Sequence, residues 1–285
     1  MKGMKFFRLT LITAVLLSAT LFAQEEKVEW KHTETTTETE LHLFRSTQSV
    51  NLPTAEMLQK GDWQFEISHR FLPNIKTGIK TFYGLDGPVN MRLALGYAIL
   101  NNLMITLGRS NVNDNVDLWL KYKALQIPND LIPLVVSLRL GTGWNTEVPN
   151  RESGNSRNYQ YYGQLILNTL ISKRLGIGIV PSYLNNSDFL TNETQNSFTL
   201  GTNVQIYFSR LFAVLFEWNP TLAGFRTFAN PVAFGIELNT GGHFFKIILT
   251  NSTYLNPSQF LAGADESTNS GNWKIGFNIT RLLKF

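Results

Sequence analysis

Apolar residues recur at every second position through most of this chain, and that rhythm restricts its fold more than any other feature. Between 88 and 99, Val89, Met91, Leu93, Leu95, Tyr97 and Ile99 fall on one phase, with Asn90, Arg92, Ala94, Gly96 and Ala98 on the other. A side-chain period of two describes a strand with unlike faces. The same alternation starts at Trp63, Leu103, Val116, Leu134, Tyr159, Leu175, Phe198, Phe212, Val232 and Trp273. It is less clean over 243–251, where both phases carry apolar residues, and with that segment the count reaches twelve.

Two all-β architectures alternate in this way, a soluble sandwich and a membrane barrel. Segments of about ten residues suit a tilted bilayer crossing. The polar phase is mostly Gly, Asn, Ser and Thr, whereas a sandwich facing water would carry more Lys and Glu. No later apolar run is long enough for a membrane helix, and a mean hydropathy of −0.08 fits strands whose hydrophobicity is hidden in alternation. Short connections at Asn101-Asn102, Ser172-Lys173-Arg174, Ser209-Arg210 and Gly241-Gly242 alternate with longer ones near 72–87, 143–157, 185–195, 219–230 and 252–271. The pattern predicts a transmembrane antiparallel up-and-down β-barrel of about twelve strands, with short periplasmic turns and longer external loops. Lipid tolerates no open sheet edge, so the last strand is expected on the first, along Trp63 to Phe71.

Lys2, Lys5 and Arg8 precede an apolar run from Leu9 to Leu17 and small residues up to Ala23, the order of a secretory signal peptide over 1–23. Its removal takes three of the 25 basic residues and leaves 22 against 21 acidic ones, a balance that gives nucleic acid no electrostatic hold. Zero cysteines exclude disulfides and thiolate metal sites. Residues 24–61 begin as the Glu- and Thr-rich QEEKVEWKHTETTTETE and predict a flexible periplasmic segment. Pro53 and Gly61 punctuate one short helix over 54–60. The sequence leaves open whether this piece enters the barrel, which occupies 62–285. The terminal aromatic strand, ending on Phe285, resembles the signal read by outer-membrane assembly machinery, and implies that partner and an outer-membrane address.

The inward phase carries Glu66, Arg70, Arg92, Asp117, Lys121, Lys123, Arg139, Glu217, Glu237 and Lys274, six positive and four negative. Hairpin pairing is expected to set Glu66 opposite Arg92 and Asp117 near Arg139. Barrels of about eight strands close on side chains and those of about sixteen leave a channel, so twelve permits either. A narrow passive channel or small-solute transporter is the leading expectation, weakly ion-selective because its charge is mixed. A non-conducting barrel that docks a partner through its loops or N-terminal segment is the alternative. An enzyme is not expected: His69 and Ser110 lie two strands apart, no His pair has metal-binding spacing, and no phosphate loop is present, so neither cofactor nor metal is implied.

One cluster stands out at the outer ends of the first three strands. ISHRF (67–71), FYGLDG (82–87) and GRSN (108–111) gather His69, Asp86, Arg109 and Asn111, with Asp114 nearby. Arg109 sits on the lipid-facing phase and belongs at headgroup level, either in a salt bridge to Asp86 or in a patch for outer-membrane lipid and lipopolysaccharide. Together with LFRST (43–47) and EMLQKG (56–61), these stretches resemble a family of exported Gram-negative outer-membrane β-barrel proteins of unknown function, over about 43–125. The chain departs from that family by placing Leu72-Pro73 after HRF. The resemblance implies compartment and fold, and no activity.

Overall fold

The computed structural model describes residues 40–269 and 271–283. The expected signal peptide, residues 24–39 and Phe285 lie outside the described residues. Thirteen strands form one antiparallel sheet: β1 (Trp63–Phe71), β2 (Val89–Leu100), β3 (Leu103–Ser110), β4 (Asn115–Ile127), β5 (Leu134–Asn145), β6 (Tyr159–Ile171), β7 (Leu175–Asn185), β8 (Asn196–Tyr207), β9 (Phe212–Trp218), β10 (Thr221–Gly224), β11 (Val232–Asn239), β12 (His243–Thr250) and β13 (Lys274–Leu283).

β9 and β10 are halves of one stave, separated at Asn219-Pro220. Proline cannot donate to a ladder, yet its carbonyl accepts from the Leu200 N–H at 3.0 Å, so both halves stay on β8. The wall therefore has twelve staves. It closes where β1 meets β13, from Trp63 opposite Leu283 to Arg70 opposite Gly276, as the edge argument requires.

Alternation decides the two faces. Leu140 is 65% exposed beside Arg139 at 3%, and Ile247 is 63% exposed beside Lys246 at 2%. Apolar residues thus coat the outside and polar ones point inward, the inverse of a soluble core. Aromatic pairs mark the rims: Trp63 on Tyr97 at the short-turn end and Trp144 stacked on Tyr159 at the long-loop end. Ser172 and Lys173 both hold left-handed φ, which gives the β6–β7 hairpin a two-residue turn matched to strand twist.

Two expected pairings shift. Glu66 lies opposite Ala94, with Arg92 one step along the diagonal, and still reaches the Arg92 guanidinium at 3.3 Å. Asp117 does not meet Arg139. β4 runs on to Ile127 and β5 starts only at Leu134, so the hairpin turns later than the sequence suggested, and Asp117 faces Gly143 while Arg139 faces Lys121. Asp117 binds Arg92 instead, through two hydrogen bonds of 2.7 and 3.0 Å.

Candidate functional site: the occupied lumen

Residues 40–61 run inside the barrel, which corrects the expectation of a loose segment. Glu40 bonds Lys123 at 2.5 Å, near the short-turn end. The chain then folds back through two internal bonds, Ser49 N–H to the Leu52 carbonyl at 2.8 Å and Thr54 N–H to the Thr47 carbonyl at 3.1 Å. It leaves at the same end, where Gly61 N–H donates to the Ala98 carbonyl, and continues into β1. The segment is a hairpin inserted into the lumen with Ser49–Leu52 at its tip.

Wall side chains hold it by its backbone. The Glu217 carboxylate accepts the N–H groups of Val50 (3.1 Å), Asn51 (2.9 Å) and Leu52 (2.8 Å). The Lys121 ammonium donates to the carbonyls of Thr47, Thr54 and Glu56 at 3.2, 3.0 and 2.6 Å. Lys246 donates to Ser46 Oγ and the carbonyls of Gln48 and Ser49 at 3.0, 2.5 and 2.6 Å, while also facing Glu237 at 3.3 Å. Arg70 reaches Asn51 Oδ1 at 3.0 Å, and Asn278 donates to the Val50 carbonyl at 2.8 Å. Each buried charge is thereby met by several oriented dipoles, the condition for leaving water.

The same contacts explain why no helix forms over 54–60. The Thr54 and Glu56 carbonyls, which a helix would pair internally, are taken by Lys121, and Asn168 fixes the Ala55 N–H towards the wall. Apolar residues fill the remainder. Leu43, Phe44, Leu52 and Ala55 join the inward Val135, Ile166 and Val180, while Val50 joins Leu215 and Ile248. Ile248 on the inner phase accounts for the blurred alternation of 243–251.

A second insertion comes from the long-loop end. Residues 251–264 are almost wholly buried around one helical turn, Pro257–Leu261. Gln259 donates to the Val112 carbonyl at 3.0 Å and to Asn145 Oδ1 at 3.2 Å. Phe260 enters the apolar cluster of Leu52 and Ala55, and Leu261 that of Met57 and Leu58. The lumen is filled from both ends. A cavity of about 460 Å³ remains at the short-turn end, bounded by His42, Glu56, Lys173, Tyr207, Asn239 and Leu282.

His42 Nδ1 lies 2.9 Å from Glu56, whose other oxygen accepts the N–H groups of Leu43 and Phe44. The hydrogen bond to Glu56 raises the His42 pKa above its ordinary value, against a smaller opposing effect of burial.

Glu66, Arg70, Arg92, Asp117, Lys121, Arg139, Glu217 and Glu237 are all buried inside the barrel. Arg139 bonds Gln164 at 2.6 Å and lies over the rings of Trp119 and Tyr162. The rim residues do not converge. Arg109 pairs with Asp114, not Asp86, because left-handed Asn113 and Asp114 fold the β3–β4 tip back alongside it. Asn111 ties its own hairpin to Val89 and Met91, His69 packs edge-on against Phe277, and the Asp86 N–H bonds the Thr81 carbonyl within its loop. Lys246 and Asn168 are the lumen residues that sequence reasoning passed over. Among the described residues no cluster of metal-ligating side chains occurs.

No curated protein matches the sequence. Among solved structures the chain is similar to the NanC porin, at 14% identity and TM-score 0.49, with 78% of this chain and 100% of that one covered. It is also similar to the COG4313 outer membrane channel from Pseudomonas putida F1 (11% identity, TM-score 0.48, 80% and 98% covered) and to the KdgM porin in complex with disordered oligogalacturonate (9% identity, TM-score 0.46, 78% and 99% covered). The family model described as Membrane bound beta barrel domain (DUF5777) matches residues 44–283. That match takes in nearly all of the inserted hairpin and every stave of the wall, and the chain belongs to this family of membrane-bound β-barrels.

Proposed function

We propose that this outer-membrane barrel is a small-solute channel held shut by its own N-terminal hairpin. The observation that carries the reading is a mismatch between wall and filling. Leu52 lies over Gly201, with two side-chain carbons 2.7 and 2.8 Å from where a Cβ would stand there, and Asn219 Oδ1 is 3.1 Å from the same point. Both amide atoms of Asn219, and both of neighbouring Asn203, have no hydrogen-bond partner among the described residues. Each buried amide left unpaired costs about 1–3 kcal/mol. A wall built for a permanent apolar filling would be apolar at these positions, whereas amides suit water and polar solutes.

The non-conducting reading draws on the second insertion, which also closes the lumen. Liposome swelling separates the two. The full chain is expected to pass nothing, and a chain lacking residues 24–60 to pass small solutes. If both remain sealed, the barrel is a docking scaffold and not a channel.

A further inference from the structure

We infer that the solute this lumen accepts is a small carboxylate-bearing anion, bound where Lys121, with Arg139 opposite it on the wall, and Lys246 now grip the hairpin. The inference rests on the channel reading above. Its starting point is the β4–β5 register, which sets Lys121 directly opposite Arg139 on the inner face. Like charges directly opposite one another destabilise a sheet, and here both side chains are buried. Neither has a carboxylate partner among the described residues: Arg139 bonds the neutral Gln164, and Lys121 bonds only carbonyl oxygens of the hairpin.

From the opposite wall, Lys246 reaches the same stretch of hairpin. Lys121 contacts Thr47, and Lys246 contacts Ser46, Gln48 and Ser49. The hairpin thus offers clustered oxygen atoms to cations on two sides, which is what a carboxylate-bearing solute of similar width would offer. Asn168 and Asn278 add amide groups that a solute's remaining polar atoms can meet.

The wider balance points the same way. With Lys274 set aside because Asp265 and Glu266 hold it, buried wall cations outnumber wall carboxylates six to four, Lys246 adding to those recognisable in the sequence. Glu66 and Asp117 are both committed to Arg92. Withdrawal of the hairpin therefore exposes a net positive constriction, and weak selectivity gives way to an anion preference.

The test keeps the whole chain and unlatches the hairpin from its own side. Leu52→Asp places a carboxylate beside Glu217, which already binds the Leu52 N–H, and repulsion expels the tip without altering the wall. In planar bilayers under a potassium chloride gradient, L52D channels are expected to prefer chloride over potassium by roughly threefold or more. Citrate is expected to block the chloride current, and adding K121Q and K246Q should abolish the block and bring the permeability ratio towards one. The chain lacking 24–60 serves as a second open form should L52D not fold. Channels that conduct without preference for chloride, or are indifferent to citrate, overturn the anion inference and leave the channel reading standing. Folded barrels of both forms that carry no current overturn both.

Discussion

Glu217 holds Asn51 by both its backbone and its side chain: the carboxylate accepts the Asn51 N–H at 2.9 Å and the Asn51 amide Nδ2 at 3.1 Å. With Val50 and Leu52 adding their own N–H groups, one wall carboxylate takes three successive backbone N–H groups of the hairpin tip. Glu217→Gln removes the charge and half of the acceptor capacity. Hydrogen bonds to a charged group contribute roughly 1.5–3 kcal/mol. Amide exchange at Val50, Asn51 and Leu52 is expected to quicken about tenfold to a hundredfold, with the barrel strands unaffected. Unchanged exchange would show that Glu217 is not the latch.

The His42 to Glu56 contact makes docking of the hairpin base depend on pH. Because the docked histidine has a raised pKa, its contribution is fully present below the ordinary value of 6.5 and disappears as pH rises through the docked value. Glu56 and Glu40 favour the charged ring and Lys123 opposes it. Protease access to residues 40–46 is expected to increase from pH 5.5 to 8, and His42→Ala should flatten that dependence. A slope of opposite sign would refute the assignment.

Gly201 is where the wall makes room for the tip. In Gly201→Val, the first added carbon would already lie 2.7 Å from the Leu52 side chain. Overpacking of this kind costs about 1–3 kcal/mol, and here it falls on the hairpin because the strand is pinned by two neighbours. Liposomes carrying Gly201→Val are expected to swell with small solutes where the natural chain passes none, while the circular dichroism of the barrel stays the same.

Two ion pairs should differ sharply in their effect on barrel stability. Arg109 is exposed at the rim, and its pair with Asp114 is expected to contribute at most about 1 kcal/mol, so Arg109→Ala should leave thermal unfolding nearly unmoved. Asp117 is fully buried and takes two hydrogen bonds from Arg92. Asp117→Ala leaves that guanidinium with only Glu66 and is expected to cost about 3–5 kcal/mol, read as a lower unfolding temperature.

The wall was legible because lipid imposes a rule on every second residue. The phases of Met91, Leu93 and Leu95 against Arg92, Ala94 and Gly96 suffice to orient β2, and closure of β1 on β13 follows from the intolerance of lipid for edges. The hairpin was not legible because LHLFRSTQSVNLPTAEMLQKG has no period of its own. Its conformation is dictated by side chains from strands more than a hundred residues away, such as Asn168, Glu217 and Lys246. One signal did lie in the sequence: Met104, Val135, Ile166, Val180 and Leu215 are apolar on the inner phase, and they mark where the wall receives the inserted segments. The rim was misjudged for a local reason, since left-handed Asn113 and Asp114 reverse the chain beside Arg109, and strand periodicity carries no information on turn geometry.

The hairpin makes only two backbone hydrogen bonds to itself between Thr47 and Thr54, and its hold on the wall is divided among separate side chains such as Lys123, Lys121, Lys246, Asn168 and Glu217. A strip so attached detaches by peeling, one anchor after another, and not by a single rupture. Release can therefore halt between Lys123 at the base and Glu217 at the tip, and a pore opened in this way would show a ladder of partial conductance levels in place of one open state.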